Sequence, residues 1–171
     1  MSGFRAAVVT VSDRSAAGER DDATGPRLVA ALAELGVVAR LAPPVPDDRA
    51  GLAAVLRDLA TSNDLVVTTG GTGLGPRDVT PEATRDVVER LAPGFPEEMR
   101  RKSAERFPRA ILSRAVAGTL GRCLIVNLPG SPSGAVECLG FVAAPLLHGL
   151  KVLGGGLRDC QDDPVPGGGR E

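Results

Sequence analysis

Three short apolar runs, each opening into a loop of small polar residues, constrain this chain more than any other feature. Residues 4–12 (Phe-Arg-Ala-Ala-Val-Val-Thr-Val-Ser), 64–69 (Asp-Leu-Val-Val-Thr-Thr) and 122–128 (Arg-Cys-Leu-Ile-Val-Asn-Leu) are rich in β-branched residues and short, as buried strands are. Between them lie segments with helical spacing. One starts at about Pro26, carries Leu28, Leu32 and Leu35, and stops at Gly36. Another is opened by Asp47 and Asp48 and carries Leu52, Val55, Leu56 and Leu59. Strands alternating with helices predict crossover units, a mainly parallel sheet and helices on both faces.

The remaining elements fit that frame. A second strand is expected over 37–45, and Thr80-Pro81-Glu82 reads as a helix start with Thr80 as its cap. A further helical stretch spans about 95–106, and a strand over 113–120 turns at Gly121 into the run at 122–128. Pro129-Gly130-Ser131-Pro132 then leads into a long helix, with Ser131 as its cap and Val136, Leu139, Ala143, Leu147 and Leu150 inward. Residues 1–153 therefore read as one domain. From residue 154 the sequence is rich in Gly, Asp and Pro without periodicity, the pattern of a disordered tail.

Composition excludes several classes. At 171 residues the chain has room for one substantial core, and a net charge of −1 with 2% aromatics argues against nucleic-acid binding. No apolar run is expected to reach membrane-spanning length and the first residues lack a signal-peptide profile, so no membrane partner and a cytoplasmic location are expected. The three cysteines show no C-x-x-C spacing, which argues against a disulfide framework or a zinc site. Cys123 and Cys138 read as small core residues. His148 has no Ser or Cys beside it to form a nucleophile pair.

In doubly wound sheets, ligands bind outside the carboxyl ends of the strands, and the three loops there are 12–25, 70–78 and 127–133. Gly70-Gly71-Thr72-Gly73 matches neither a phosphate-binding P-loop, which needs Lys, nor the dinucleotide pattern, because Pro76 occupies the last Gly position. Its glycines allow positive φ and close approach, so convergent N–H groups could hold a phosphate; a tight turn needs the same residues. Asp47 and Asp78 follow two strand ends and could hold magnesium between protein and substrate phosphates. The competing accounts are a helix cap for Asp47 or Asp48, and an ion pair with Arg77 or Arg85 for Asp78. Arg100, Arg101, Lys102, Arg106, Arg109 and Arg114 could receive an anion or form a solvated face.

Together the segments resemble the MogA/MoaB family of molybdopterin adenylyltransferases. The matching pieces are Val9-Thr10-Val11-Ser12-Asp13, Thr68-Thr69-Gly70-Gly71-Thr72-Gly73 and Arg77-Asp78-Val79-Thr80-Pro81-Glu82-Ala83-Thr84. Ala110-Ile111-Leu112-Ser113-Arg114 and Asn127-Leu128-Pro129-Gly130-Ser131-Pro132 follow in family order, and the Gly loop joined to Arg-Asp-Val-Thr-Pro is the most specific of them.

The resemblance implies a three-layer α/β/α sandwich, assembly as a homotrimer, and transfer of AMP from ATP to the terminal phosphate of molybdopterin with release of pyrophosphate. It places the magnesium-associated aspartates at Asp47 and Asp78. ATP phosphates are expected against Gly70, Gly71, Thr72 and Gly73, with Ser12 and Gly130 nearby, and molybdopterin around Ser103, Ser113 and Asn127. A molybdenum insertion protein is the expected downstream partner. The alternatives are a non-catalytic molybdopterin carrier, an insertion domain, or another nucleotide enzyme on the same fold, such as a pyrophosphatase of the competence-damage type.

Overall fold

A computed structural model of the chain describes residues 3–156; most of the sequence expected as a tail, 157–171, and Cys160 with it, lies outside the described residues. The elements in chain order are β1 (Arg5–Thr10), α1 (Asp13–Ala16), α2 (Gly25–Glu34), β2 (Val38–Leu41), α3 (Arg49–Ala60), β3 (Leu65–Thr69) and α4 (Thr80–Arg85). They continue with β4 (Arg90–Leu91), α5 (Gly94–Ala104), a 3-10 turn (Pro108–Leu112), β5 (Ala117–Leu120), β6 (Cys123–Leu128) and α6 (Pro132–Leu153).

The six strands form one sheet in the order β2-β1-β3-β6-β5-β4. β2, β1, β3 and β6 are parallel, while β5 runs antiparallel to both β6 and β4. The turn between β5 and β6 places Gly121 at φ +54°, where glycine carries no steric penalty.

The apolar runs serve both faces because strand side chains alternate. Ala6, Val8, Leu65, Val67, Leu124 and Val126 pack with Leu28, Leu32, Met99, Leu139 and Leu146 of α2, α5 and α6. Ala7, Val9, Val66 and Ile125 pack on the other face with Leu52, Leu56 and Ala83 of α3 and α4. Two helical layers on a mainly parallel sheet make the α/β/α sandwich.

Several local expectations change. The strand expected at 37–45 shortens to Val38–Leu41, and Val45 rejoins the sheet through one bridge to Val11. α1, β4 and the 3-10 turn are too short to impose a period on the sequence. Val79, not Thr80, precedes the first turn of α4, and the Thr80 hydroxyl donates to Gly70 O at 2.8 Å instead. Ser131 occupies the cap position of α6 without a side-chain capping bond.

The buried stripe of α6 is Ala135, Cys138, Leu139, Val142, Leu146 and Leu150, rotated from the expected one by the helix's contacts with both the sheet and α5. At 22 residues and mean hydropathy 1.5, α6 is also long and apolar enough to cross a membrane, which corrects the expectation that no run reaches that length. Its inward face belongs to the core of the sandwich, while 28% of the apolar window is buried.

Candidate active site

The strand order reverses between β1 and β3: the chain leaves β1 outward to β2 and returns on the other side. The register aligns Thr10 with Thr69 and Thr69 with Leu128, so the loops after β1, β3 and β6 emerge side by side. This is the switch point at which a doubly wound sheet leaves a crevice for ligands.

The Gly loop lies against its neighbours with almost no clearance. Gly70 and Gly71 have φ of +99° and +64°, values that side-chain-bearing residues rarely adopt. A Cβ on Gly70 would collide with the carbonyl oxygen of Val11, and one on Gly71 with the Thr80 hydroxyl. The two aspartates flank this loop. A Cβ on Gly71 would stand 3.1 Å from Asp47 Oδ1, and one on Gly73 2.8 Å from Asp78 Oδ2.

Each aspartate is held differently. Asp48, not Asp47, caps α3, its carboxylate accepting from Gly51 N at 2.6 Å. Asp47 is instead linked reciprocally to Asp13: Asp47 Oδ2 accepts from Asp13 N at 3.1 Å, and Asp13 Oδ1 from Asp47 N at 2.9 Å. Burial pushes the Asp47 carboxyl above the ordinary aspartate range, partly offset by the Asp13 N–H, with the negative charges of Asp13 and Asp78 pushing the same way as burial. Asp13 is held below that range by the backbone N–H of Asp47 and by Arg77, which grips it through three hydrogen bonds of 2.8–3.1 Å. Asp78 makes neither of its expected ion pairs; its carboxylate accepts from Gly75 N at 2.9 Å and turns its own loop.

One cavity borders the loop at Gly70, and a second lies by α5 and the end of β6. A cleft of about 390 Å³ opens between the loops after β1 and β6, lined in part by Ser12, Gly70, Gly130 and Arg20. Its wall is braced by Asp22, which accepts from Thr10 Oγ1 at 2.6 Å and from Gly25 N at 2.8 Å. Thr24 ties the same wall to Gly130 O at 2.9 Å.

A smaller cavity of about 80 Å³ is lined by Ser103, Ser113 and Asn127 together with Arg100 and Cys138. The structure thus gathers the expected ATP-side residues Ser12, Gly70 and Gly130 in one cavity and the three expected molybdopterin-side residues in another. The other expected ATP-side residues, Gly71, Thr72 and Gly73, line neither of these cavities, and Thr72 is buried.

Asn127 is fully buried, and both its N–H donors are engaged, to Thr68 Oγ1 and Thr84 Oγ1 at 2.9 Å each, while its carbonyl accepts from Val116 N at 3.0 Å. It fastens β6 to β3, to α4 and to the segment leading into β5. Ser12 likewise has a local task, accepting from Ser15 N at 3.3 Å at the start of α1.

The basic run divides between surface and interior. Arg101 pairs with Glu98 and Glu105, and Arg106 with Glu137, all at the surface. Arg100 and Arg114 turn inward onto backbone carbonyls. Asp13, Asp22 and Thr24 are site residues that the sequence does not single out, and Arg114, a candidate anion receiver in the basic run, instead grips the Gly loop. Asp13 stands inside a motif that could have flagged it, whereas the roles of Asp22 and Thr24 appear only when their loop folds back. Among the described residues no group of three or more His, Cys, Asp or Glu side chains could hold a metal.

Comparison with known proteins extends these observations. Residues 7–149 match the family described as "Probable molybdopterin binding domain". The chain is 41% identical over 162 residues to the molybdopterin adenylyltransferase of Helicobacter pylori strain J99, covering 92% of each. Against the molybdopterin adenylyltransferase of Escherichia coli K12 it is 40% identical over 148 residues, covering 81% of this chain and 73% of the relative. The crystal structure of the molybdopterin biosynthesis enzyme MoaB from Thermus thermophilus superposes with a TM-score of 0.83 at 45% identity, covering 89% of this chain and 97% of that one.

Proposed function

The chain belongs to the molybdopterin-binding-domain family, and on that premise we propose that it transfers AMP from ATP to the terminal phosphate of molybdopterin, releasing pyrophosphate. The observation that carries this reading is the placement of Asp47 and Asp78 on either side of a glycine loop at the switch point, in a chain so similar to adenylyltransferases.

The reaction asks little covalent chemistry of the protein. An oxygen of the substrate's phosphate attacks the α-phosphorus of ATP, the bond from that phosphorus to the bridging oxygen breaks, and its electron pair leaves with pyrophosphate. What remains is to hold two anions together in line and to offset their repulsion. Gly70 N already donates to Leu128 O at 3.3 Å, so the N–H groups of residues 71–73, after the positive-φ turn at Gly70 and Gly71, are the ones suited to phosphate oxygens. The first cleft, with Arg20 on its wall, suits the nucleotide, and the Ser103–Ser113 cavity suits the pterin side.

Magnesium fits the donor set. Two hard carboxylate oxygens without a third protein ligand match an ion held mainly by substrate phosphates and water, and a cation beside Asp47 would relieve the charge crowding there. When bound, it screens the phosphates and the developing charge on pyrophosphate. Asp47 and Asp78 would hold it, and Asp13 and Arg77 keep Asp47 in place.

From the family resemblance we further propose that the protein is a homotrimer, acts in the cytoplasm and passes adenylyl-molybdopterin to a molybdenum insertion protein. Light scattering during size-exclusion chromatography reads the first of these. The decisive experiment measures pyrophosphate release with ATP, magnesium and molybdopterin each omitted in turn. Release only with all three, together with an adenylylated pterin by mass spectrometry, is expected. Tight pterin binding without pyrophosphate would establish a carrier, and ATP turnover without pterin a different enzyme on this fold.

A further inference from the structure

Arg114 is half-buried at the end of the segment that follows α5, yet its bonds are made almost wholly with the Gly loop, far earlier in the chain. Its backbone N–H donates to Thr72 O at 2.8 Å. Its guanidinium donates from Nε to Gly73 O at 2.7 Å and from Nη2 to Asp78 O at 2.8 Å, while Nη1 pairs with Glu82 in the first turn of α4. All three guanidinium nitrogens are therefore engaged with protein, and a rigid planar fork spans the loop from Gly73 to Asp78.

Within the loop itself few bonds fix the backbone. Between Thr72 and Val79 its own bonds are the turn from Asp78 N to Gly75 O at 3.0 Å and the contact of Gly75 N with the Asp78 carboxylate. Leu74, Gly75, Pro76 and Arg77 are exposed. Its one tether to a neighbouring element besides Arg114 is the Arg77 side chain, which grips Asp13 of α1 at 2.8–3.1 Å from the exposed side, so the position of Asp78 depends on that pair and on the guanidinium that grips its carbonyl.

Arg114 also follows Ser113, which lines the smaller cavity, and Arg100 from α5 donates to Ser113 O at 3.2 Å on the wall of that cavity. One short segment thus touches the cavity on one side and the Asp78 loop on the other.

We propose that Arg114 is a positioning residue: its guanidinium clamps residues 72–78 so that Asp78 faces Asp47, and it couples that geometry to the cavity lined by Ser103 and Ser113. The proposal rests on the adenylyltransferase reading for its effect on turnover, but the clamp itself can be measured without substrate.

The test compares wild type with Arg114→Ala and Arg114→Lys by hydrogen–deuterium exchange of peptides covering 70–80, in the absence of ligand, and by adenylylation rate. Arg114→Ala is expected to speed exchange in that loop by about tenfold or more while the β1 and β3 peptides stay protected. Turnover is expected to fall on the order of 10²-fold, as for other displacements of about an ångström near reacting groups.

Ethylguanidine added to Arg114→Ala should slow the loop exchange and restore part of the rate together, since it can refill the fork. Arg114→Lys, which keeps the charge but not the fork, should resemble the Ala variant in exchange; it also provides a folded form should Arg114→Ala fail to fold. Loss of activity with unchanged loop exchange would overturn the proposal, because Arg114 would then act on a substrate directly. Unchanged exchange with unchanged activity would overturn it as well. A wild type that makes no adenylyl-molybdopterin would refute the proposed function, while the exchange and rescue arms would still decide the clamp.

Discussion

Replacing Asn127 by Ala separates two roles that this residue could play. The side chain makes three hydrogen bonds of 2.9–3.0 Å, to Thr68, Thr84 and the backbone of Val116, in a region with no solvent access. Each such bond contributes about 1 kcal/mol net, so their loss costs about 3 kcal/mol. The Val116 N–H then has no partner, and the vacated volume leaves a small void, which together bring the expected total to roughly 3–5 kcal/mol. Thr84 softens the loss only a little, because its hydroxyl already donates to Thr80 O at 2.8 Å.

Equilibrium urea unfolding followed by far-ultraviolet circular dichroism measures this, with the slope of the transition expected to stay near that of wild type. The β3–α4 junction should loosen first, since Thr68 and Thr84 lie there. A destabilisation below about 1 kcal/mol, combined with loss of pterin binding, would refute the reasoning: Asn127 would then spend its amide on a ligand rather than on the fold.

Four further outcomes are expected. Asp78→Asn keeps the bond from Gly75 N and the thermal midpoint, but lowers adenylylation on the order of 10²-fold or more; a folded variant with near-normal turnover would remove Asp78 from the proposed magnesium site. Asp47→Asn is expected to be inactive yet more heat-stable than wild type at neutral pH. A carboxyl raised by burial costs stability once pH exceeds its folded value, and that cost disappears as pH falls below the ordinary aspartate range, so the two melting curves should converge in acid. Gly71→Ala should destabilise by about 2–4 kcal/mol, from positive φ and the collision with Thr80, measured by chemical denaturation. Cys123, whose thiol is pushed up to about 12 by burial, should resist iodoacetamide at pH 8 in the native protein and react only on unfolding, read by peptide mass spectrometry.

The correspondence of sequence and structure is uneven, and the unevenness has physical causes. The runs at 4–12, 64–69 and 122–128 became β1, β3 and β6, because a strand buried on both faces must be apolar throughout and that demand is written locally. The short β4 and α1 left no such trace, since two or four residues cannot show a period. Thr80 had the right residue type for a cap but took another partner, because Gly70 O lies within reach of its hydroxyl once the loop has folded. Ser103 and Ser113 were legible only through family resemblance, as nothing about a serine in a helix or after a turn announces a cavity.

By itself, then, the amino-acid sequence determined the layered architecture, the glycine loop and the two acidic positions beside it. Hydrophobic periodicity and turn chemistry act over a few residues, so they can be read along the chain. Only the tertiary structure decided which aspartate caps α3 and which faces the loop, and which arginines of the basic run turn inward. It alone showed that Asp13 holds Asp47 from 34 residues away and that Arg114 grips Gly73 from 41. Those choices rest on hydrogen bonds between loops brought together by the register of β1, β3 and β6, and no local pattern can encode a partner that only the closed sheet supplies.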